Sequence, residues 1–138
     1  MVSIPSYAKQ DTYQPAENSK EELMMDLFFS LLSPVIDQVV WNYYSDFLTE
    51  NPTVYPYQIN ILNIERIGEY RSFEFIITIE VTPVVGPHID VGKDRITFYI
   101  TPSTVKLRKF EHIETYELPP NWQHIKKGKL GDSGLETY

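Results

Sequence analysis

Residues 71–85 read RSFEFIITIEVTPVV. Phe73, Phe75, Ile77, Ile79 and Val81 share one parity, and Glu74, Thr78, Glu80 and Thr82 share the other. Alternation with period two is the signature of a strand that buries one face, and only Ile76 interrupts the polar side. The same reading extends outward. Tyr57 to Ile67 is rich in Ile and Leu on both parities, which suits a well-covered strand, and Gly68-Glu69-Tyr70 turns the chain. Asp94 to Thr101 places Ile96, Phe98 and Ile100 on one face. Pro102-Ser103 makes a turn, and Thr104 to Ile113 continues the inward face with Val105 and Leu107. Phe110 then falls out of phase, which predicts a bulge near Arg108-Lys109.

Upstream lies a helical pattern. Ser19-Lys20-Glu21-Glu22 fits a capping box, and Glu21, Glu22 and Asp26 suit the positive end of a helix dipole. Two apolar rows follow, Leu23, Leu27, Leu31, Val35, Val39, Tyr43 and Met24, Phe28, Leu32, Ile36, Val40, Tyr44. A spacing of four drifts by about 40° per step round a straight helix, so each row winds halfway round the rod. Pro34 offers a resolution, because it removes a hydrogen bond and clashes with the preceding turn. The expectation is a kinked helix or two helices, over 20–32 and 35–47, each with its own apolar face. Asn51-Pro52 ends the segment.

The predicted architecture is α+β: the kinked helix packed on a four-stranded antiparallel meander, in a cystatin-like or nuclear-transport-factor-like arrangement. The predicted organisation is a flexible segment over 1–16, one domain over 17–118, and a flexible or loosely docked tail over 119–138, in which Trp122 and Ile125 could reach the sheet. Ser6-Tyr7-Ala8 has the spacing of a signal-peptidase site without an apolar core before it.

Composition limits the function. The chain has 138 residues, enough for one ordinary domain, and no Cys, which excludes disulfides, thiolate metal sites and a Cys nucleophile. Its net charge of -7 argues against nucleic acid as a partner. Residues 1–50 hold eight acids and two bases, so the helical side is acidic. Lys106, Arg108 and Lys109 make the last strand basic, and Lys126, Lys127 and Lys129 follow in the tail. These charges read as a solvated face and a protected edge strand, or as a contact for an anionic surface. No uninterrupted apolar run approaches the roughly 18 residues of a membrane-spanning segment.

Candidate chemistry is sparse. The 86–94 stretch holds His88, Asp90, Lys93 and Asp94 between two cleanly patterned strands. His88 and Asp90 could bind a ligand, but two ligands do not make a transition-metal site, and the nearest further donors are Asp94 and His112. The plainer reading is a hairpin loop shaped by Gly86, Pro87 and Gly92. Trp41, Tyr43, Tyr44 and Phe47, with Asn42, Asp46 and Tyr55 near in sequence, either fill the core or line a pocket between helix and sheet, with Tyr44 and Asp46 as its polar groups. Gly131-Asp132-Ser133-Gly134 matches a serine-protease segment in letters only, because nothing follows it to build a specificity pocket. No catalytic residue, metal or cofactor is expected.

The stretches Leu31-Leu32-Ser33-Pro34, Val85-Gly86-Pro87-His88, Ile96-Thr97-Phe98, Ile100-Thr101-Pro102 and Val105-Lys106 resemble a bacterial domain-of-unknown-function family, number 3888, over about residues 18–112. The resemblance implies a Bacillus-type origin and export, hence a secreted or cell-surface protein. It implies no activity, substrate or catalytic residue. The expected function is a non-enzymatic binding or interaction module for an unidentified protein. The alternative is a small-ligand binder or enzyme using the 86–94 loop. A homodimer could form through the polar sheet face, where Thr78, Thr82, Thr97, Tyr99 and Thr101 would meet a second copy.

Overall fold

The Ser19 hydroxyl accepts from the Glu22 amide at 3.1 Å, and the Glu22 carboxylate reaches one residue further back than a standard box, accepting from the Asn18 amide at 2.8 Å. These contacts start helix α1, Lys20–Tyr44, in the computed structural model, which describes residues 13–127. Ser6-Tyr7-Ala8, Lys129 and Gly131-Asp132-Ser133-Gly134 lie outside the described residues.

Of the two alternatives the sequence leaves open, one helix or two, the structure has one, continuous through Pro34. Pro34 sits on the exposed side, so the Ser30 carbonyl that loses its partner faces water. The Ser30 and Ser33 hydroxyls donate to the carbonyls of Asp26 at 2.7 Å and Phe29 at 2.9 Å, adding donors to the turn before the proline. The drift of the apolar rows is therefore real. Leu23, Leu27 and Leu31 are exposed, Val35 is half-buried and Val39 is buried. The core face is carried instead by Phe29, Leu32, Ile36, Val39, Val40 and Tyr44. By length and composition this helix could cross a membrane, with a mean hydropathy of 1.6 over its most apolar 18 residues. The reading from uninterrupted runs did not register this, because Asp26 and Asp37 divide the sequence.

The sheet has four antiparallel strands in the order β1-β2-β5-β6, with β1 at Ile59–Arg66, β2 at Phe75–Val81, β5 at Gly92–Thr101 and β6 at Thr104–Thr115. The predicted meander is present. Between β2 and β5 the chain inserts a small hairpin, β3 at Val84–Val85 and β4 at Ile89–Asp90. Arg71 to Val85 is thus not one strand: β2 begins at Phe75, leaving Phe73 exposed, and Thr82-Pro83 separates it from β3. The supposed long loop at 86–94 is a tight hairpin tip over 86–88, then β4, with β5 beginning at Gly92.

Register places three rows beneath the helix. Ile64, Ile77, Phe98 and Leu107 lie side by side, then Ile61, Ile79, Ile96 and Phe110, then Ile59, Val81, Asp94 and His112. The central members of each row are shut off from solvent. Of two bulges in β6, the first makes this possible. Arg108 is the extra residue between the Thr97–Lys109 and Phe98–Leu107 pairs, as expected from the phase of Phe110. Ile113 is extra between the Lys93–Glu114 and Asp94–His112 pairs. On the outer face Thr78 bonds Thr97 at 3.0 Å, and Arg108 lies over the Tyr99 ring at 5.0 Å.

The chain after β6 returns to the core. A 3-10 turn at Pro120–Ile125 buries Ile125, and the segment bonds to the helix end through the Thr49 amide to the Ile125 carbonyl and the Lys127 amide to the Phe47 carbonyl.

Replacing Pro34 with Ala restores a main-chain donor in an exposed helical position. It should stabilise the fold by about 1–3 kcal/mol. Urea denaturation measures this, and a loss of stability would show that the proline geometry is required.

Candidate functional site

Asp94 stands in the row of Ile59 and Val81, at 0% exposure. A carboxylate there is costly unless both oxygens are bonded. They are. The Tyr44 hydroxyl, from the last residue of α1, donates to Oδ2 at 2.8 Å, and His112 Nδ1 meets Oδ1 at 2.6 Å. His112 Nε2 in turn lies 2.6 Å from Thr115 Oγ1. Tyr43 stacks on the His112 ring at 4.6 Å and packs against Phe110 at 5.2 Å. The network joins the end of the helix, the start of β5 and the end of β6.

Gly92 is what lets Tyr44 in. A Cβ on Gly92 would lie 2.2 Å from the Tyr44 hydroxyl and 2.8 Å from the Glu114 carbonyl. Burial raises the Asp94 pKa above the ordinary carboxylate range, against the lowering effect of the bonds from His112 and Tyr44. Burial, then the Asp94 charge, also raises the Tyr44 pKa, so its hydroxyl stays a donor. Asp37, half-buried on α1, is raised by burial as well.

Asp94, His112 and Thr115 follow the order carboxylate, imidazole, hydroxyl, which in hydrolases activates a nucleophile. Such chemistry also needs amide donors aimed at a developing oxyanion. The amide next to Thr115, that of Tyr116, is committed to the Val91 carbonyl at 3.1 Å. What the bonds do in the fold is clamp the helix end to the sheet. Among the described residues no group of three or more His, Asp or Glu side chains is placed to hold a metal ion.

Beside the clamp lies a half-open cleft of about 230 Å³, walled by Tyr43, Tyr44, Phe47, Val91, Thr115 and Leu118, with Lys126 and Lys127 at its rim. The Lys127 ammonium donates to the Ser45 carbonyl at 2.6 Å, where α1 has just ended.

The four residues singled out from the sequence fall in three places. Tyr44 is in the clamp and lines the cleft. Asp46 is exposed and is not among the cleft's walls. His88 is at the tip of the β3–β4 hairpin, with its Nδ1 3.1 Å from the Tyr57 hydroxyl. Asp90 is exposed on β4, opposite Val84. Of the aromatic group, Trp41 turns away and donates from its indole nitrogen to the Pro52 carbonyl at 2.7 Å. Asp94 and His112 had been noted only as further donors for the loop. Their pairing follows from the bulge at Arg108, which puts His112 in phase with Phe110 on the inner face.

Residues 24–114 match the model of a family described as a protein of unknown function, DUF3888. No curated protein and no solved structure matches the chain.

Two outcomes follow from the clamp. Tyr44→Phe leaves Asp94 Oδ2 without its donor and should cost about 1–3 kcal/mol in urea denaturation. Because the folded pKa of Asp94 is raised, the folded state holds its proton more tightly than the unfolded chain. Its contribution is most favourable below the unfolded carboxylate pKa and declines as pH rises through the raised value. The slope of stability against pH in that window should be more negative in the wild type than in Asp94→Asn, and identical slopes would refute the assignment.

Proposed function

We propose that the chain, which belongs to the DUF3888 family, is a non-catalytic interaction module whose contact surface is the outer face of α1. One observation carries this reading. Leu23, Met24, Leu27 and Leu31 are 54–73% exposed, on the side of the helix opposite Phe29, Leu32 and Ile36. Four large apolar side chains in one strip mark a surface that association would cover. Among the described residues the core forms on the opposite side of the helix, at Phe29, Leu32 and Ile36.

Charge selects the occupant. Glu21 and Asp26 flank the strip on its two sides, with Glu17 and Glu22 near its N-terminal end and a single Lys20 among them. A second copy laid on this face would bring like charges together. A partner with an apolar strip edged by Lys or Arg would gain from them, in rate as well as affinity.

A synthetic amphipathic helix with a Leu strip and an Arg rim is a defined probe. It should bind with salt-sensitive affinity, and Leu27→Glu with Leu31→Glu should weaken it at least about tenfold. Titration calorimetry reads both. Binding that the variants leave unchanged, or no binding at all, would reject the surface. A dimer in sedimentation velocity that Leu27→Glu dissociates would replace the basic partner with a second copy.

The cleft supports a second reading, a small apolar ligand held between Tyr43, Phe47 and Leu118. Decanoate should then shift the methyl resonances of Val91 and Leu118, and unmoved resonances would reject it.

A further inference from the structure

The hairpin tip carries an aromatic surface that neither the clamp nor the helix face uses. Tyr55 and His88 have ring centroids 4.7 Å apart with planes inclined by 26°, so they overlap. Tyr57 and His88 are inclined by 27°, but their centroids are 6.4 Å apart and the Tyr57 hydroxyl bonds His88 Nδ1 at 3.1 Å. A bond between ring edges at that separation sets the two rings side by side rather than one over the other. Tyr55, inclined by only 15° to Tyr57, backs the pair. The result is a tile two rings wide, with Tyr57 70% exposed, His88 exposed and Tyr55 only half-exposed behind them.

The backbone is built to present this tile. His88 has a φ of 63°, a left-handed conformation uncommon for a residue with a side chain. The Gly86 carbonyl accepts from the His88 amide at 2.8 Å, closing a turn centred on Pro87, whose ring favours that geometry. Gly86 is pinned from outside, since a Cβ there would lie 2.5 Å from the Trp122 ring. Paired bonds between Thr53 and Val84, at 2.8 and 2.9 Å, hold the two chain segments side by side. A residue in a left-handed conformation thus carries the ring that completes the exposed surface.

We infer that Tyr57 and His88, backed by Tyr55, form a stacking platform for a neutral saccharide chain. A sugar ring offers a face of C–H groups to a π surface and hydroxyls at its edge. Here the edge groups are the Tyr57 hydroxyl and the His88 ring nitrogens. A tile two rings wide matches two consecutive sugars. Nucleobases also stack on such surfaces, but those platforms rely on basic residues along a backbone groove. None of the three tile residues is basic beyond His88, and the chain carries a net charge of -7. The platform is separate from the helix strip, and its test does not depend on that reading.

The test is an NMR titration of the full chain with cellohexaose and chitohexaose. Saturable shifts of the Tyr55, Tyr57 and His88 ring resonances are expected at millimolar sugar. Tyr57→Ala and His88→Gly should each weaken binding at least about tenfold. Glycine accepts the left-handed φ, so His88→Gly removes the ring without disturbing the turn and should fold at least as stably. The inference fails if neither sugar moves these resonances, if the two variants bind as the wild type does, or if oligothymidylate binds the tile and the sugars do not.

Discussion

A carboxylate with no exposure sits in a row of the sheet that is otherwise apolar at its centre, and much of the fold is arranged round it. Asp94 takes a hydrogen bond from the last residue of the helix and one from the edge strand. The helix can end there because Gly92 leaves room for the Tyr44 hydroxyl. The edge strand can supply His112 because the bulge at Arg108 brings Phe110 and His112 together onto the inner face. Segment 125–127 then closes over the helix end, with Lys127 on the Ser45 carbonyl. Charge, space and register converge on one position, and altering any of them loosens the same joint.

This joint explains the division of labour along α1. From Tyr44 the helix runs back over the sheet, and its apolar rows wind at about 40° per step. Near the anchor they coincide with the core. Two turns from the N-terminus they have rotated to the outside. The helix is therefore a core element at one end and an apolar surface at the other, without a break in between. The same composition that makes it hydrophobic enough to pass as a membrane span leaves its outer face apolar and exposed.

Much of the fold was legible. Alternation identified the strands, the phase of Phe110 located the bulge at Arg108, and the Ser19–Glu22 spacing marked the helix start. Pro34 left one helix or two open, and exposure decides between them: on a solvated side the freed carbonyl meets water and the helix continues. The β3–β4 hairpin was hidden because Val84-Val85 extends the apolar run of β2. The site was less legible still. Tyr44 was singled out as an aromatic, and Asp94 and His112 as bystanders of the loop. What joins them is the bulge at Arg108, which puts His112 in phase with Phe110, and the missing side chain at Gly92, which leaves no periodic trace. His88 was singled out for its imidazole, whereas its partners Tyr55 and Tyr57 come from a segment thirty residues earlier that only the Thr53–Val84 bridge brings alongside.

The central claim is that the bonds from Tyr44 and His112 to Asp94 act as one unit joining helix to sheet. A double-mutant cycle with Tyr44→Phe and His112→Ala, read by urea denaturation at neutral pH, measures this directly. The account predicts that the two effects fail to add, with a coupling of about 0.5–3 kcal/mol. Additive effects would contradict it, because each side chain would then act on stability independently of the carboxylate they share.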